Sequence, residues 1–290
     1  MTRVLVGGAT GYVGRYAVER YAGADHEVLG LTRAAGRLDR EGPFASPAVG
    51  AHCTEVVAEA TEPETLQGIC DGVDVVFSSI GISRQRDGLT FEQVDHLANK
   101  ALLDEAVRAG VQKFVYVSLW GPEEIPHLEI VQAHERFVAD LEASGIEHTV
   151  VRPSGYFSDM GSVLSMAKRG FVLIVGDGTN RMNPIHGDDV ARVAVEATEG
   201  SERSVGCGGP DVLTQLELAE LCGDIWGRKV RTVKLSPRML SPVHRGIRRL
   251  NDQFGDLAEF LITAGVVDAV APARGQHRLE DYLRALADRS

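Results

Sequence analysis

Gly8-Ala9-Thr10-Gly11-Tyr12-Val13-Gly14 follows the apolar run Val4-Leu5-Val6 and opens a helix-like segment, Tyr12 to about Tyr21. Strand, glycine-rich turn and helix in that order begin a dinucleotide-binding unit. Each glycine has its own task. One permits the tight turn, one lets the main chain approach a pyrophosphate, and one lets the helix pack on the strand. The helix amino terminus adds N–H groups and partial positive charge for the phosphates. The spacing is G-x-x-G-x-x-G, one residue longer at the front than G-x-G-x-x-G. An ordinary strand-to-helix turn is the plainer alternative. Gly8, Thr10, Gly11, Tyr12, Val13 and Gly14 are the candidate pyrophosphate residues.

Outward from this turn, short apolar runs alternate with helix-period sequence. Strands are expected near Glu27–Leu31, Glu55–Glu59, Val73–Phe77, Lys113–Val117 and His148–Val151. A Pro63-led helix follows the third run. A helix from Phe91 to Ala109 carries Val94, Leu97, Ala98, Ala101 and Leu102 on one face, and another covers about Glu129 to Ser144. Such alternation implies right-handed βαβ units. The expected fold is α/β: a Rossmann-type, doubly wound parallel sheet with a small carboxyl-terminal substrate lobe. Residues 1–155 form the nucleotide domain, with 183–206 returning to it, and 156–182 and 207–290 form the lobe. The second half is less regular. It has a strand at Phe171–Val175, helices at about Asp188–Thr198 and Gln215–Trp226, and a loop-rich stretch marked by Pro237 and Pro242.

A parallel sheet binds its ligand beyond the carboxyl ends of its strands. Gly8, Arg33, Glu59, Ser79, Gly81, Ser118 and Pro153 stand at or just past those ends. The second strand ends Leu31-Thr32-Arg33, with no acid at its tip to hold a ribose 2′-hydroxyl. Arg33 offers a planar fork to a 2′-phosphate, with Arg37 as helper. NADP(H) is therefore expected over NAD.

Thirty basic residues against forty-one acidic ones, a net charge of −11, argue against a nucleic-acid partner. The basic cluster Arg245 to Arg249 reads as a solvated helix face. Cys53, Cys70, Cys207 and Cys222 form no C-x-x-C pair and no zinc spacing. No charged-then-apolar leader opens the chain, and no apolar run approaches the roughly 20 residues that span a bilayer. The expectation is a reduced, cytoplasmic protein away from membranes, a monomer or homodimer, acting on a small molecule.

Further matches are Gly72-Val73-Asp74-Val75-Val76-Phe77-Ser78, Lys113-Phe114-Val115-Tyr116-Val117-Ser118, Val150-Val151-Arg152-Pro153 and Asn183-Pro184-Ile185-His186-Gly187-Asp188-Asp189-Val190-Ala191. With the opening turn and Thr32-Arg33, this ordered set resembles the NmrA-like branch of the atypical short-chain dehydrogenases/reductases along nearly the whole chain. The resemblance implies an NAD(P)(H)-binding domain and reduction of carbonyls, quinones or activated double bonds. Some relatives bind the nucleotide only as redox sensors. Typical members of the broader family catalyse with Tyr-x-x-x-Lys. Here Ile130 stands at the Tyr place and His134 at the Lys place. By the same resemblance Ser118 matches the family's Ser/Thr and could hydrogen-bond a substrate oxygen. His134 could relay a proton or contact the nicotinamide ribose, and Tyr156 could reach the nicotinamide face. Each has a plainer role: strand-end hydroxyl, exposed helix histidine, cleft wall.

Asp188-Asp189 reads as helix capping rather than a catalytic carboxylate pair, with His186 ordering the loop beside it. No G-x-S-x-G elbow is present, so a Ser-His-Asp hydrolase is not expected, and His134-Glu135 lacks the second His of H-E-x-x-H, so no catalytic metal is expected. The expected function is an NADPH-dependent reductase acting without the usual dyad. A non-catalytic NADP(H)-binding sensor or scaffold is the alternative, and an epimerase, isomerase or lyase stands behind both.

Overall fold

The computed structural model describes residues 1–82, 88–236, 263 and 265–289. The stretch marked by Pro237 and Pro242, and the Arg245–Arg249 cluster, lie outside the described residues.

In chain order the first elements are β1 (Arg3–Gly7), α1 (Tyr12–Gly23), β2 (Glu27–Thr32), β3 (Thr54–Val57), β4 (Val75–Ser78), a π-helical segment (Glu92–Ala98), α2 (Asn99–Ala109), β5 (Lys113–Val117), α3 (Glu129–Ala143) and β6 (Glu147–Pro153). Then come α4 (Phe157–Lys168), β7 (Phe171–Val175), β8 (Arg181–Met182), α5 (Gly187–Glu199), β9 (Ser204–Cys207), β10 (Leu213–Thr214), α6 (Gln215–Ile225), β11 (Arg231–Leu235) and α7 (Leu279–Asp288). Contacts divide the chain into two units. One holds Met1–Ser118, Glu129–Arg152 and Val190–Val205. The other holds Leu119–Leu128, Pro153–Asp189 and the described residues from Gly206 onward.

The main sheet has seven strands in the order β3-β2-β1-β4-β5-β6-β9, and β1 to β6 pair in parallel. Its central strands β1, β4 and β5 are nearly continuous buried runs because both faces are covered. Leu5, Val76, Leu102, Phe114, Tyr116, Phe137 and Leu141 form one buried cluster between the sheet and its helices. The order reverses between β1 and β4. That switch point is where a doubly wound sheet opens a crevice for ligand.

The second unit has its own core of Phe157, Leu164, Val172, Ile174, Leu218 and Leu283. Two small sheets, β7 with β11 in parallel and β8 with β10 antiparallel, belong to it.

Two helix expectations need correction. The Pro63-led segment is only a short 3-10 turn, Pro63–Leu66. The Phe91–Ala109 segment is helical but begins with a π stretch, whose wider turn shifts the phase of every side chain in it. Leu97, expected inside, is 49% exposed, while Asp95 is buried at 1%.

Candidate functional site

Gly8 adopts φ +75°, and a Cβ there would stand 2.9 Å from the backbone of Ser79. The glycine turn after β1 therefore lies directly against the loop after β4, at the switch point. Gly11 N–H donates to the Gly8 carbonyl at 2.9 Å and closes the turn. A Cβ on Gly14 would overlap that same carbonyl. Among the described residues, no side chain caps the first turn of α1 and no acid stands in it. A cradle that only glycine leaves open, ending at a helix amino terminus without acids, fits a pyrophosphate. Thr10, Tyr12 and Val13 lie within this turn. Tyr12 is buried, edge-on to Tyr16 and Phe44.

The loop between β2 and β3 is organised by a residue the sequence reading passed over. Arg15, 3% exposed, donates to the carbonyls of Thr10 (3.2 Å), Arg40 (2.6 Å), Pro47 (2.8 Å) and Arg37 (2.8 Å). Glu55 accepts from the N–H groups of Gly36 and Leu38 in the same loop. Thr10, Gly36, Arg37, Arg40 and Glu41 line a cavity of about 450 Å³. Arg33 stands at the tip of β2, where its Nε is 3.8 Å from Glu59 Oε2. The tip of β2 carries no acid, but its neighbour β3 delivers one beside it. Glu59 also accepts from Thr61 N–H at 3.3 Å.

On the β4 side, Ser79 N–H donates to the Gly7 carbonyl at 3.1 Å. Ile82 N–H donates to both carboxylate oxygens of Asp95, at 3.3 and 3.2 Å. Asn99 ties the same loop down, donating to the carbonyls of Ile80 and Asp95 and accepting from Ser78 Oγ at 2.6 Å. Gly81 lies over Asp95, and a Cβ on it would approach Oδ1 to 2.8 Å.

His134 is a buried residue of α3, not an exposed helix histidine. Its Nδ1 is 2.5 Å from the Tyr116 hydroxyl of β5, and its Nε2 is 3.4 Å from Asp95 Oδ1. Burial, with the Arg152 charge adding to it, pushes the His134 imidazole down to about 4. Burial pushes the Asp95 carboxyl well above the carboxylate range. Ser118, buried just past β5, accepts from Arg152 Nη1 at 3.4 Å. Arg152 is gripped by Glu135 at 2.7 and 3.2 Å. On this side of the switch point, Asp95 and Arg152 are the site residues that sequence reasoning missed. The phase shift of the π segment hid the first. The second was quoted only as part of a strand-end match.

Pro153 and Tyr156 belong to the second unit. The Pro153 carbonyl accepts from Trp120 N–H at 3.1 Å. Tyr156 is part-buried and pairs with Ile185 through an isolated parallel bridge. Burial raises its phenol above the ordinary value.

Asp188 and Asp189 both stand in the first turn of α5, where the second also serves another segment. Asp189 Oδ2 accepts from Gln276 N–H, His277 N–H and His277 Nδ1, at 2.9, 3.0 and 3.0 Å. It tethers the segment before α7 to the start of α5. The first-turn N–H of Asp188 goes to His186 Nδ1 at 3.2 Å, so His186 orders this turn as expected. His186, Asp188 and His277 bring three metal-capable atoms within 4.8 Å of one another. The two imidazoles stack at 4.4 Å, and His277 is held by the flanking carboxylates, so packing and hydrogen bonding account for the group.

The family model described as NAD(P)H-binding matches residues 8–200. A mitochondrial NADH dehydrogenase [ubiquinone] 1 alpha subcomplex subunit 9 of Arabidopsis thaliana is 28% identical over 241 residues, covering 79% of this chain and 59% of that protein. A chloroplastic divinyl chlorophyllide a 8-vinyl-reductase of Zea mays is 28% identical over 276 residues, covering 89% and 69%. The chain thus spans about three fifths of the first of these curated relatives and just over two thirds of the second. Among solved structures, an NADPH-dependent quinone oxidoreductase of Escherichia coli, complexed with NADPH, superposes with a TM-score of 0.73 at 19% identity. That match covers 99% of this chain and 100% of that one, and it shows the fold. Among the described residues, no helix is long and apolar enough to cross a membrane.

Proposed function

The chain belongs to the NAD(P)H-binding family, and from that premise we propose an NADPH-dependent reductase of the NmrA-like branch of the atypical short-chain dehydrogenases/reductases. Its substrate class is a small organic acceptor: a quinone, an enone or a ketone. The observation that carries the reading is the glycine cradle, where Gly8 abuts Ser79 and Gly14 abuts Gly8 at the switch point of the sheet. The N–H groups at the start of α1 hold the pyrophosphate. Arg33, with Arg37 and Arg40 in the adjoining loop, favours a 2′-phosphate over a bare hydroxyl. Glu59 beside Arg33 tempers this preference, since it competes for the same guanidinium.

Bound NADPH would supply the hydride. The chain's own residues orient the acceptor and manage the proton. Ser118 and Arg152 place a hydroxyl and a cation side by side, suited to an oxygen that gains negative charge. His134 stands at the family's lysine place as a neutral, buried imidazole, able to give a proton and unable to act as a fixed cation. An acceptor that is already activated suits such a site best.

A second reading, a nucleotide-binding scaffold without turnover, is favoured by Ile130 at the usual tyrosine place and by the similarity to a subunit of an NADH dehydrogenase [ubiquinone] alpha subcomplex. Titration with NADPH and NADH, followed by NADPH oxidation with a quinone, an enone and a ketone, separates the two. Tight NADPH binding with oxidation on at least one acceptor supports the reductase. Tight binding with none supports the scaffold.

A further inference from the structure

Three buried polar side chains meet beneath the loop after β4, and ordinary packing does not require them. Asp95, His134 and Tyr116 are 1%, 8% and 0% exposed. They come from three different elements: the π segment, α3 and β5. Isolated buried charge is costly, so such a cluster stays near neutral or forms a pair.

The possible hydrogen positions are few. If Tyr116 donates to His134 Nδ1, the ring carries its proton on Nε2, facing Asp95. If His134 Nδ1–H donates to Tyr116, then Nε2 is an acceptor facing Asp95 and the carboxyl carries the proton. The 3.4 Å between Nε2 and Oδ1 is longer than a good hydrogen bond. Nε2 is therefore not committed to Asp95, while the short bond from Nδ1 to Tyr116 holds the ring in place.

Among the described residues, charged and titratable groups reach the pair from every element packed against it. From α3, Glu135 faces the Arg152 guanidinium of β6, and Arg152 disfavours a second positive charge on His134. From β5 comes the Tyr116 hydroxyl, and from the β4 loop the Ile82 N–H. Elsewhere on the π segment, Glu92 and His96 pair with Arg136 and Asp140 of α3. Of these groups, His134 faces Asp95 most directly, at 3.4 Å.

We propose that Asp95 and His134 together hold one dissociable proton and form the proton source of the reduction, with His134 as donor and Asp95 as the positioning residue that recharges it. The inference rests on the reductase reading. Hydride addition to a quinone, enone or ketone leaves an oxyanion. The Asp95 proton first moves to Nε2, leaving a carboxylate beside an imidazolium whose Nδ1–H donates to Tyr116. The new Nε2–H bond then breaks as an O–H bond forms on the product, and the ring is neutral again. Solvent returns one proton to the pair after product departs. One hydride and one proton are consumed, and no other reactant is needed. Burial supports the scheme, because it raises Asp95 and lowers His134 and so keeps the proton shared between them.

The test uses the full chain and has two arms. In the nucleotide-free protein, infrared difference spectra with 13C-labelled aspartate and 15N NMR of histidine read the protonation of the pair at pH 7. The expected result is either a carboxylic-acid signal that Asp95→Asn abolishes or an imidazolium signal at His134. An ionised Asp95 beside a neutral His134 overturns the proposal. Asp95→Asn keeps an oxygen for Ile82 N–H, and its melting temperature confirms folding. In the second arm, single-turnover reduction of 1,4-naphthoquinone by NADPH is followed against pH. A general acid contributes on the order of 100-fold, so Asp95→Asn should slow reduction at least tenfold with NADPH affinity unchanged. An unchanged rate and pH profile in that variant overturns the proposal. If the wild type binds NADPH but oxidises none with any acceptor, the reductase reading and the proton hand-off both fail, while the spectra still show whether the pair holds its proton.

Discussion

A Cβ on Gly14 would overlap the carbonyl oxygen of Gly8, so the first turn of α1 rests on the main chain of the glycine turn with no space between them. That contact holds the helix amino terminus where a pyrophosphate would meet it. Gly14→Ala must push helix and turn apart. Overpacking of this kind costs about 1–3 kcal/mol, and NADPH affinity should fall at least about tenfold. Gly23, the last residue of the same helix, has nothing within 4 Å of its would-be Cβ. Gly23→Ala should leave binding alone and leave stability equal or slightly raised. Fluorescence titration and thermal melts of both variants check this. Intact NADPH binding by Gly14→Ala would show that the turn does not hold the phosphates.

The 3.8 Å approach of Arg33 to Glu59 predicts a graded cofactor preference rather than an absolute one. Arg33 is about half exposed, so its contact with a 2′-phosphate is partly screened. Arg33→Ala should weaken NADPH about five- to tenfold and leave NADH nearly unchanged. Glu59→Gln frees the guanidinium and should tighten NADPH by up to about threefold. Calorimetric titration with both nucleotides reads the two effects. Equal wild-type affinity for NADPH and NADH would remove the role given to Arg33.

Much of this frame is readable in the chain because it follows from local rules. Apolar runs such as Val4-Leu5-Val6 and Val75-Val76-Phe77 must be strands buried on both faces, and glycine must stand where Gly8 takes a positive φ. The site is less readable, because its key contacts join residues far apart in sequence. Asp95 lies inside only because the Glu92–Ala98 stretch winds as a π helix, which a 3.6-residue period does not anticipate. Asp189 looks like a cap by position, yet its carboxylate is taken by a segment 88 residues later. Arg152 sits in a strand-end match, but its pairing with Glu135 and Ser118 depends on how α3 crosses the sheet.

His186 makes stability depend on acid in a defined window. Burial, with His277 adding to it, pushes its imidazole down to about 4. The unfolded chain takes up this proton near pH 6.5 and the folded chain does not. Stability is therefore full above that pH and is lost as pH falls toward 4. At pH 5 one such histidine accounts for a loss on the order of 2 kcal/mol. His186→Asn can still accept the Asp188 N–H, but it does not titrate. Urea unfolding at pH 7 and pH 5 should show a drop for the variant that is smaller by about that amount. His134 has the same sign and keeps the remaining dependence in place. An identical drop in both proteins would mean that His186 is not held neutral.

Arg15 predicts a coupling between the fold and cofactor choice. Its guanidinium serves the carbonyls of Thr10, Arg37, Arg40 and Pro47, so one side chain joins the glycine turn to the whole loop after β2. Hydrogen bonds from a charged donor are worth about 1.5–3 kcal/mol each when both partners are buried. Burial, with Arg37 adding to it, lowers the Arg15 pKa, which marks a desolvation cost set against those bonds. Lysine cannot reproduce a planar fork. Arg15→Lys should keep the charge but cost on the order of 2–4 kcal/mol. It should also loosen the loop that carries Arg33, Arg37 and Arg40. NADPH should then lose more affinity than NADH, although Arg15 itself points at carbonyls and not at the 2′-position. Chemical unfolding combined with titration of both nucleotides tests this. Equal loss for the two nucleotides would limit Arg15 to supporting the glycine turn, and no loss of stability would refute the four-carbonyl account altogether.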